Sequence, residues 1–175
     1  NSVTSIDAYA FSYCNSLISI EVDPSNPNYS SEDGVLFNKD KTTLIQYPIG
    51  STQTSYSVPE GVTIVDYATF GRNQSLVSIK IPEGVTEIKS NAFFGCSNLT
   101  SITIPESVTS IGSYAFQECR SLTSITLPDS VTSINNATFS RCSSLTSITI
   151  GEEVTNINSS AFYACEELTS IKIPD

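Results

Sequence analysis

The chain of 175 residues contains no His, no Trp and no Met, and only 15% of its residues are charged. The absence of His excludes the Ser/His and Cys/His catalytic pairs and removes the commonest side-chain metal ligand. No apolar run approaches the roughly 20 residues that span a bilayer, and no signal-peptide pattern is present. The composition predicts that the chain is not an enzyme and holds no cofactor or metal.

Acidic residues outnumber basic residues 18 to 8, for a formal net charge of −10. This charge disfavours nucleic acid and anionic membranes as partners, because both attract a basic face. Ser, Thr and Asn supply the polar surface in place of charged residues, as is common in extracellular bacterial proteins. The sequence therefore predicts no nucleic-acid partner and no membrane contact by this chain.

A repeat of about 23 residues, within the length range of leucine-rich repeats, organises most of the chain. Five copies follow one another without insertion or deletion, and a sixth copy at residues 1–22 lacks only its first residue. The shared apolar skeleton is V-x-x-I, then A-F or T-F, then x-x-C-x-x-L-x-x-I-x-I. One such unit cannot bury its apolar face alone, so neighbouring copies must stack. The five full copies span residues 59–81, 82–104, 105–127, 128–150 and 151–173.

Each half of the repeat predicts one structural element. In residues 101–104, Ile alternates with Ser and Thr, which indicates a half-buried strand, and Pro105 ends it. Phe93, Cys96 and Leu99 recur every three residues, which indicates a short helical or 3₁₀ turn. The predicted fold is an α/β repeat solenoid whose coils each carry one short parallel strand and one such turn. The strands are expected in one parallel sheet near residues 19–22, 78–81, 101–104, 124–127, 147–150 and 170–173.

Residues 23–58 interrupt the period. Residues 34–37 and 43–47 are strand-like and flank a polar turn at residues 38–41, which predicts a β-hairpin. Residues 56–59 resemble the end of the next strand. We interpret the interruption as one irregular coil that carries a hairpin, followed by a shortened coil without its helical turn. The solenoid is expected to continue through it, so residues 1–175 are predicted to form one domain.

The five cysteines occupy a single repeat position. A metal or redox ladder is poorly supported, because no C-x-x-C motif and no His is present. Disulfides between neighbouring coils would suit a stacking distance of about 5 Å, but stacked identical positions point their Cβ atoms in parallel. We interpret the thiols as free side chains that fill the inside of the coil. They are Cys14, Cys96, Cys119, Cys142 and Cys165.

A second ladder, of acidic residues, follows each strand. Ca²⁺ could bridge stacked carboxylates, although one carboxylate per coil is few for a calcium site. The alternative is a solvated ridge that favours solubility, and we prefer it. The ladder consists of Glu60, Glu83, Glu106, Asp129 and Glu152.

Large side chains identify the candidate binding residues of this chain. The outward strand positions hold mainly Ser and Thr, without the Tyr, Trp or Arg anchors that dominate interfaces. The irregular coil instead supplies Tyr29, Phe37, Tyr47 and Tyr56. Departures from a repeat template often mark function, but these rings could equally fill the gap left by missing turns. We take the four as candidate binding residues on a projecting hairpin.

The pattern L-T-S-I-T-I-P-x-x-V-T-S-I-x-x-x-A-F-x-x-C resembles the BspA-type leucine-rich repeats of bacterial surface proteins. The resemblance covers essentially the whole chain, including a variant coil at residues 28–48. It implies a leucine-rich-repeat solenoid on a secreted or cell-surface protein, with a non-catalytic role in adhesion or protein binding. The partner that the resemblance implies is a protein, such as an extracellular-matrix protein or another surface protein. A passive spacer that displays another domain is the alternative. Because Asn1 starts inside a coil and neither end has a capping sequence, we expect a fragment of a longer protein with ends prone to association.

Overall fold

The structure is a computed structural model that describes residues 2–175. Within these residues the chain forms strands and turns and no helix, so none is long and apolar enough to cross a membrane. The regular repeats stack as coils, and each strand residue pairs with the equivalent residue of the neighbouring copy, as in Ser78 with Ser101. The predicted repeat solenoid is confirmed.

The outward Ser/Thr strands form the first of two parallel ladders. Their side chains alternate as predicted, since Ile102 and Ile125 are buried while Ser101 and Thr103 face solvent. The hydrogen-bonded pairing along this ladder is interrupted at one place, between β8 and β10. The ladder comprises β4 (Ser55–Ser57), β6 (Ser78–Lys80), β8 (Ser101–Thr103), β10 (Ser124–Thr126) and β12 (Ser147–Thr149).

The second ladder was not predicted, so one strand per coil is a wrong prediction. Its strands are only two residues long in the regular coils, too short to show an alternating pattern in sequence. The preceding threonines reinforce it, because Thr86 donates to the Thr63 carbonyl through both its amide, at 2.8 Å, and its hydroxyl, at 3.3 Å. This ladder comprises β5 (Ile64–Val65), β7 (Glu87–Ile88), β9 (Ser110–Ile111), β11 (Ser133–Ile134) and β13 (Asn156–Ile157).

The interruption contains the predicted hairpin and one strand more. β2 (Val35–Asn38) pairs antiparallel with β3 (Thr43–Gln46), and β1 (Tyr29–Glu32) pairs antiparallel with β2. Asp33 and Gly34 join β1 to β2 with φ of 50° and 76°, the left-handed pair that a two-residue hairpin turn requires. β3 then pairs in parallel with β5, which attaches this meander to the second ladder.

Two of the predicted strands do not form. Residues 19–22 lie beside the tip of the meander, where the Ile20 amide donates to the Gly34 carbonyl at 2.8 Å instead of pairing with another Ser/Thr strand. Residues 170–173 belong to the last coil, which has a neighbour on one side only.

The predicted helical turn is replaced by tight turns containing left-handed residues. In residues 82–104, Asn91 and Gly95 have φ of 61° and 69° and break any run of helical dihedrals. The amides of Asn91, Phe93 and Gly95 donate to carbonyls of the next coil, and the amides between them close local turns. A helix would need all of these amides for itself, so bonding between coils excludes it. The corresponding left-handed residues elsewhere are Tyr9, Tyr13, Ala68, Arg72, Tyr114, Glu118, Ala137, Arg141, Ser160 and Ala164.

A column of stacked phenylalanine rings runs through the core. Neighbouring rings lie 5.0–5.7 Å apart between centroids, with planes within 5–7° of parallel. Tyr47, which directly follows β3, extends the column, with its ring 5.3 Å from Phe70. The apolar core is therefore continuous from the meander into the regular repeats. The column consists of Phe70, Phe93, Phe116, Phe139 and Phe162.

We predict that Phe116→Ala destabilises the chain by about 3–5 kcal/mol, because it empties a fully buried site between two stacked rings. The matched control is Phe94→Ala, since Phe94 is half-buried on the neighbouring coil. Urea denaturation of both variants measures the effect. Equal losses of unfolding free energy in the two variants would show that the column contributes nothing beyond an ordinary phenylalanine contact.

Candidate binding surface

The four residues proposed from sequence do not share an exposed patch. Phe37 and Tyr47 are 0% and 2% exposed, so they fill the core of the interruption and are out of a partner's reach. Tyr29 is half-buried, and its hydroxyl accepts a hydrogen bond from the Ile6 amide at 2.8 Å. Tyr56 is also half-buried and packs 4.7 Å from Tyr47, and burial raises the pKa of its phenol above the usual range.

The predicted hairpin does not project from the surface. Val35, Leu36 and Phe37 of β2 are consecutive and all buried, at 2%, 0% and 0% exposure. A strand buried on both faces has a continuous apolar sequence rather than an alternating one. The hairpin therefore contributes core, and for Phe37 and Tyr47 the gap-filling interpretation explains their position.

The outward Ser/Thr face is polar and exposed, and its few charged residues lie near its ends. The acidic ladder is exposed as well, and Lys172 approaches Glu152 at 3.7 Å. Among residues 2–175, no three acidic or cysteine side chains come together in a group that could hold a metal ion. Neither ladder offers a recessed site or a large side chain to anchor a partner.

All five thiols are free, as predicted, but only the three central ones are buried. Cys165 is half-buried in the last coil and Cys14 is exposed, so the prediction that all five fill the inside of the coil is wrong for Cys14. Cys96, Cys119 and Cys142 are buried, and each thiol donates to the carbonyl of a phenylalanine in the preceding coil at 3.0–3.2 Å. Desolvation raises the pKa of Cys96 to about 12 and raises the pKa values of the other two as well. Such thiols are poor nucleophiles and metal ligands, so they have a structural role.

A surface that the sequence analysis missed runs along the tight turns, and we call it the turn edge. All five exposed tyrosines lie on it, with 41–67% of each side chain accessible. All three arginines of the chain lie on it as well. Tyr and Arg are the residue types enriched at binding hot spots. The turn edge comprises Tyr9, Tyr13, Tyr67, Arg72, Phe94, Tyr114, Arg120, Arg141 and Tyr163.

Contacts between coils hold these side chains in place. The Arg72 guanidinium lies over the Tyr13 ring at 4.6 Å and over the Phe94 ring at 4.8 Å. Both Arg120 and Arg141 pair with Glu118 at 3.2 Å. The contacts of Arg72 and Arg141 join different coils, whereas Arg120 pairs within its own turn. These contacts order the arginines before any partner arrives.

A further charged contact, between Lys89 and Asp66, lies beside the second ladder. Lys89 pairs with Asp66 at 3.1 Å, and its ammonium lies 4.9 Å from the Tyr67 ring. Desolvation lowers the pKa of Lys89, but hydrogen bonding to Asp66 and the nearby acidic charges outweigh it, so the pKa is raised overall. This pair fixes Tyr67 at one border of the turn edge.

The signal for this surface was present in the sequence. Tyr or Arg recurs in the stretch between the V-x-x-I segment and the cysteine position of several copies, as in Tyr9, Arg72, Tyr114, Arg141 and Tyr163. Because the sequence predicts a helical turn in this stretch, it does not by itself indicate that these side chains form one row. The left-handed residues and the bonding between coils place them on a common edge.

Comparison with known proteins identifies relatives of this architecture. The model of the BspA type leucine rich repeat region matches residues 1–55 and 62–175 in 6 copies. No curated protein sequence matches the chain.

Three solved structures are similar. A leucine-rich repeat protein from Eubacterium ventriosum is 31% identical, with a TM-score of 0.86 over 98% of this chain and 53% of its own. A leucine-rich cell surface protein from Faecalibacterium prausnitzii is 33% identical, with a TM-score of 0.87 over 93% of this chain and 43% of its own. The pneumococcal vaccine antigen PcpA, at 23% identity and a TM-score of 0.59 over 82% of this chain and 45% of its own, shares the fold. The chain thus spans about half the length of the relatives it matches.

The buried thiols predict how stability depends on pH. Their pKa values are raised in the folded chain, so their contribution is complete below the unfolded thiol pKa of about 8.5 and is lost as pH rises above it. We expect the free energy of unfolding to fall by up to about 1.4 kcal/mol per pH unit for each such thiol. Cys119→Ala should reduce this slope between pH 8.5 and 10, measured by urea denaturation. Cys14→Ala, at an exposed site, is the control and should leave the slope unchanged; equal slopes for both variants would refute the assignment.

Proposed function

Because the chain belongs to the BspA-type leucine-rich repeat family, we propose that it is a non-catalytic protein-binding module of a secreted or cell-surface protein. Family membership and a neighbour named as a cell surface protein support the location. The hydroxyl-rich surface and the absence of His agree with both parts of the proposal. Adhesion to macromolecules of a host or a neighbouring cell is the specific role that we propose.

The turn edge is the observation that carries the proposal. Interfaces concentrate binding energy in Tyr, Trp and Arg, and this chain places every exposed tyrosine and every arginine on one edge. The regular coils fix these side chains at the ends of hydrogen-bonded turns. A preformed surface loses little conformational entropy on binding, which favours affinity.

The irregular coil contributes to the proposed surface through its position. Tyr29 and Tyr56 keep part of their surface accessible, whereas Phe37 and Tyr47 support the core beneath. We propose residues 1–175 as one binding unit in which this coil sets the spacing between the first turn and the regular turns.

A passive spacer is the second candidate. The regular repeats at residues 82–173 present a nearly uniform Ser/Thr face, which suits a stalk that displays another domain. A spacer needs no clustered anchors, so the distribution of Tyr and Arg favours binding.

We predict that the chain binds at least one member of a panel of extracellular-matrix and bacterial surface proteins in biolayer interferometry. A variant with Tyr9→Ser, Tyr114→Ser and Tyr163→Ser should lose at least tenfold in affinity, because it removes aromatic anchors from the turn edge. The matched control carries Thr103→Ala, Thr126→Ala and Thr149→Ala on the Ser/Thr face.

A third variant replaces residues 24–58 with one regular coil that copies the sequence of residues 82–104. Loss of binding in this variant alone would place the site at the irregular coil, and loss in the Thr variant alone would place it on the strand face. No binding by the unmodified chain to any panel member would favour the spacer.

A further inference from the structure

A small pocket of about 190 Å³ opens on the turn edge where the shortened coil lacks a regular turn. Four separate parts of the chain line it, including Tyr9 and Tyr13 of the first copy, Gln46, Arg72 and Asn91. Drug-sized ligands occupy roughly 300–1,000 Å³, so this pocket suits one residue or a group of similar size.

Backbone donors of the first turn lack acceptors at this point. In the regular coils, alternate turn amides donate to the next coil, as Phe93 does to the Ala115 carbonyl at 2.8 Å. The corresponding amides of Tyr9, Phe11 and Tyr13 donate to no residue of the described chain. The shortened coil does not supply the carbonyls that a regular turn would offer. Tyr9 and Tyr13 line the pocket, so their N–H groups remain available to a ligand there.

Arg72 adds a cation without a counter-ion. Its guanidinium is held between the Tyr13 and Phe94 rings, and it makes no ion pair or side-chain hydrogen bond with residues 2–175. Gly95 leaves room for its stem, since a Cβ there would lie 3.3 Å from the Arg72 Cγ. None of the residues that line the pocket is acidic. A fixed guanidinium with five free N–H donors is suited to a carboxylate.

Gln46 supplies an acceptor in the same pocket. It is 6% exposed, and its Nε2 donates to the Tyr47 and Thr69 carbonyls at 2.7 and 3.0 Å. These bonds fix the orientation of the amide, whose Oε1 accepts no hydrogen bond from the described residues. Asn91 donates to the Tyr9 hydroxyl at 2.8 Å, which leaves the phenolic hydrogen free to donate. The pocket thus combines several donors with one buried acceptor.

We propose that this pocket binds the free C-terminal carboxylate of a partner polypeptide. The terminal carboxylate accepts from Arg72 and the first-turn amides, and the N–H of the same terminal residue donates to Gln46 Oε1. A chain terminus supplies both groups within one residue and adds a single negative charge. This suits a protein whose net charge of −10 would repel a strongly acidic partner. The proposal rests on the proposed function in that the ligand belongs to a protein.

The test is an NMR titration of the ¹⁵N-labelled chain with the tripeptide acetyl-Gly-Ala-Ala that ends in a free carboxylate. We expect saturable shifts of the Tyr9 and Tyr13 amide signals and at least tenfold weaker binding of the same peptide ending in a carboxamide. Arg72→Leu should weaken binding of the free acid at least tenfold, and Arg72→Lys should restore part of it. Lys80→Leu is the control, because it removes an exposed cation from the Ser/Thr face, outside the pocket, and should leave affinity for the tripeptide unchanged.

Several results would overturn the proposal. These are equal binding of acid and carboxamide, an Arg72→Leu variant with unchanged melting temperature and unchanged affinity, or shifts confined to another surface. Stronger binding of acetyl-Gly-Glu-Gly carboxamide would show that an acidic side chain, not a chain terminus, is recognised, and binding of methyl glucuronide alone would point to an acidic sugar. Tripeptide binding without binding to any protein of the panel would reject the proposed function and leave the carboxylate-binding role of the pocket standing. A panel protein that binds equally well to the Arg72→Leu variant, with no tripeptide binding, would reject the pocket proposal and keep the proposed function.

Discussion

Backbone hydrogen bonding from each coil to the next is the constraint on which the rest of the structure depends. A single coil has too little apolar surface to fold alone, so neighbouring coils complete the strands and turns of the regular repeats. The Phe93 amide donates forward to Ala115, and the Thr86 amide donates back to Thr63. The spacing that these bonds impose then determines how the side chains stack.

Side-chain stacking within the coils follows from this constraint. The phenylalanine rings lie nearly parallel because identical positions repeat at one step along the axis. The thiols of Cys96 and Cys119 act in the same way, since each donates to a carbonyl of the coil before it. In the copy at residues 59–81, Asn73 replaces cysteine and its Nδ2 donates to the Ile49 carbonyl at 3.1 Å. Asparagine therefore extends the bonding between coils to the shortened coil, which lacks the standard geometry.

The sequence predicted those features that repeat and are decided by apolar periodicity. The period, the inward Ile102 and the hairpin at residues 35–46 could be read directly, because alternation and turn residues determine them locally. The left-handed turns could not, since Tyr114 and Glu118 have no intrinsic preference for positive φ and adopt it through hydrogen bonds to another coil. Of the candidate binding residues, Phe37 and Tyr47 are buried, whereas a binding role for Tyr29 and Tyr56 stays a prediction. The apolar run of β2 agrees with burial of Phe37, but burial of Tyr47 depends on its contact with the Phe70 ring of the next copy, which no local pattern shows.

The two sets of hydrogen bonds between coils run in opposite directions along the solenoid. Amides of the turns point toward the following coil, as at Phe93, whereas amides of the threonine segments point toward the preceding coil, as at Thr86 and Thr109. Peptide dipoles in these two columns therefore oppose each other, in contrast to an α-helix, in which all peptide dipoles add. Because these two columns partly cancel, lengthening such a solenoid adds less axial dipole than lengthening an α-helix by the same number of peptide units. Adding repeats therefore concentrates less charge at the ends than it would in a helix.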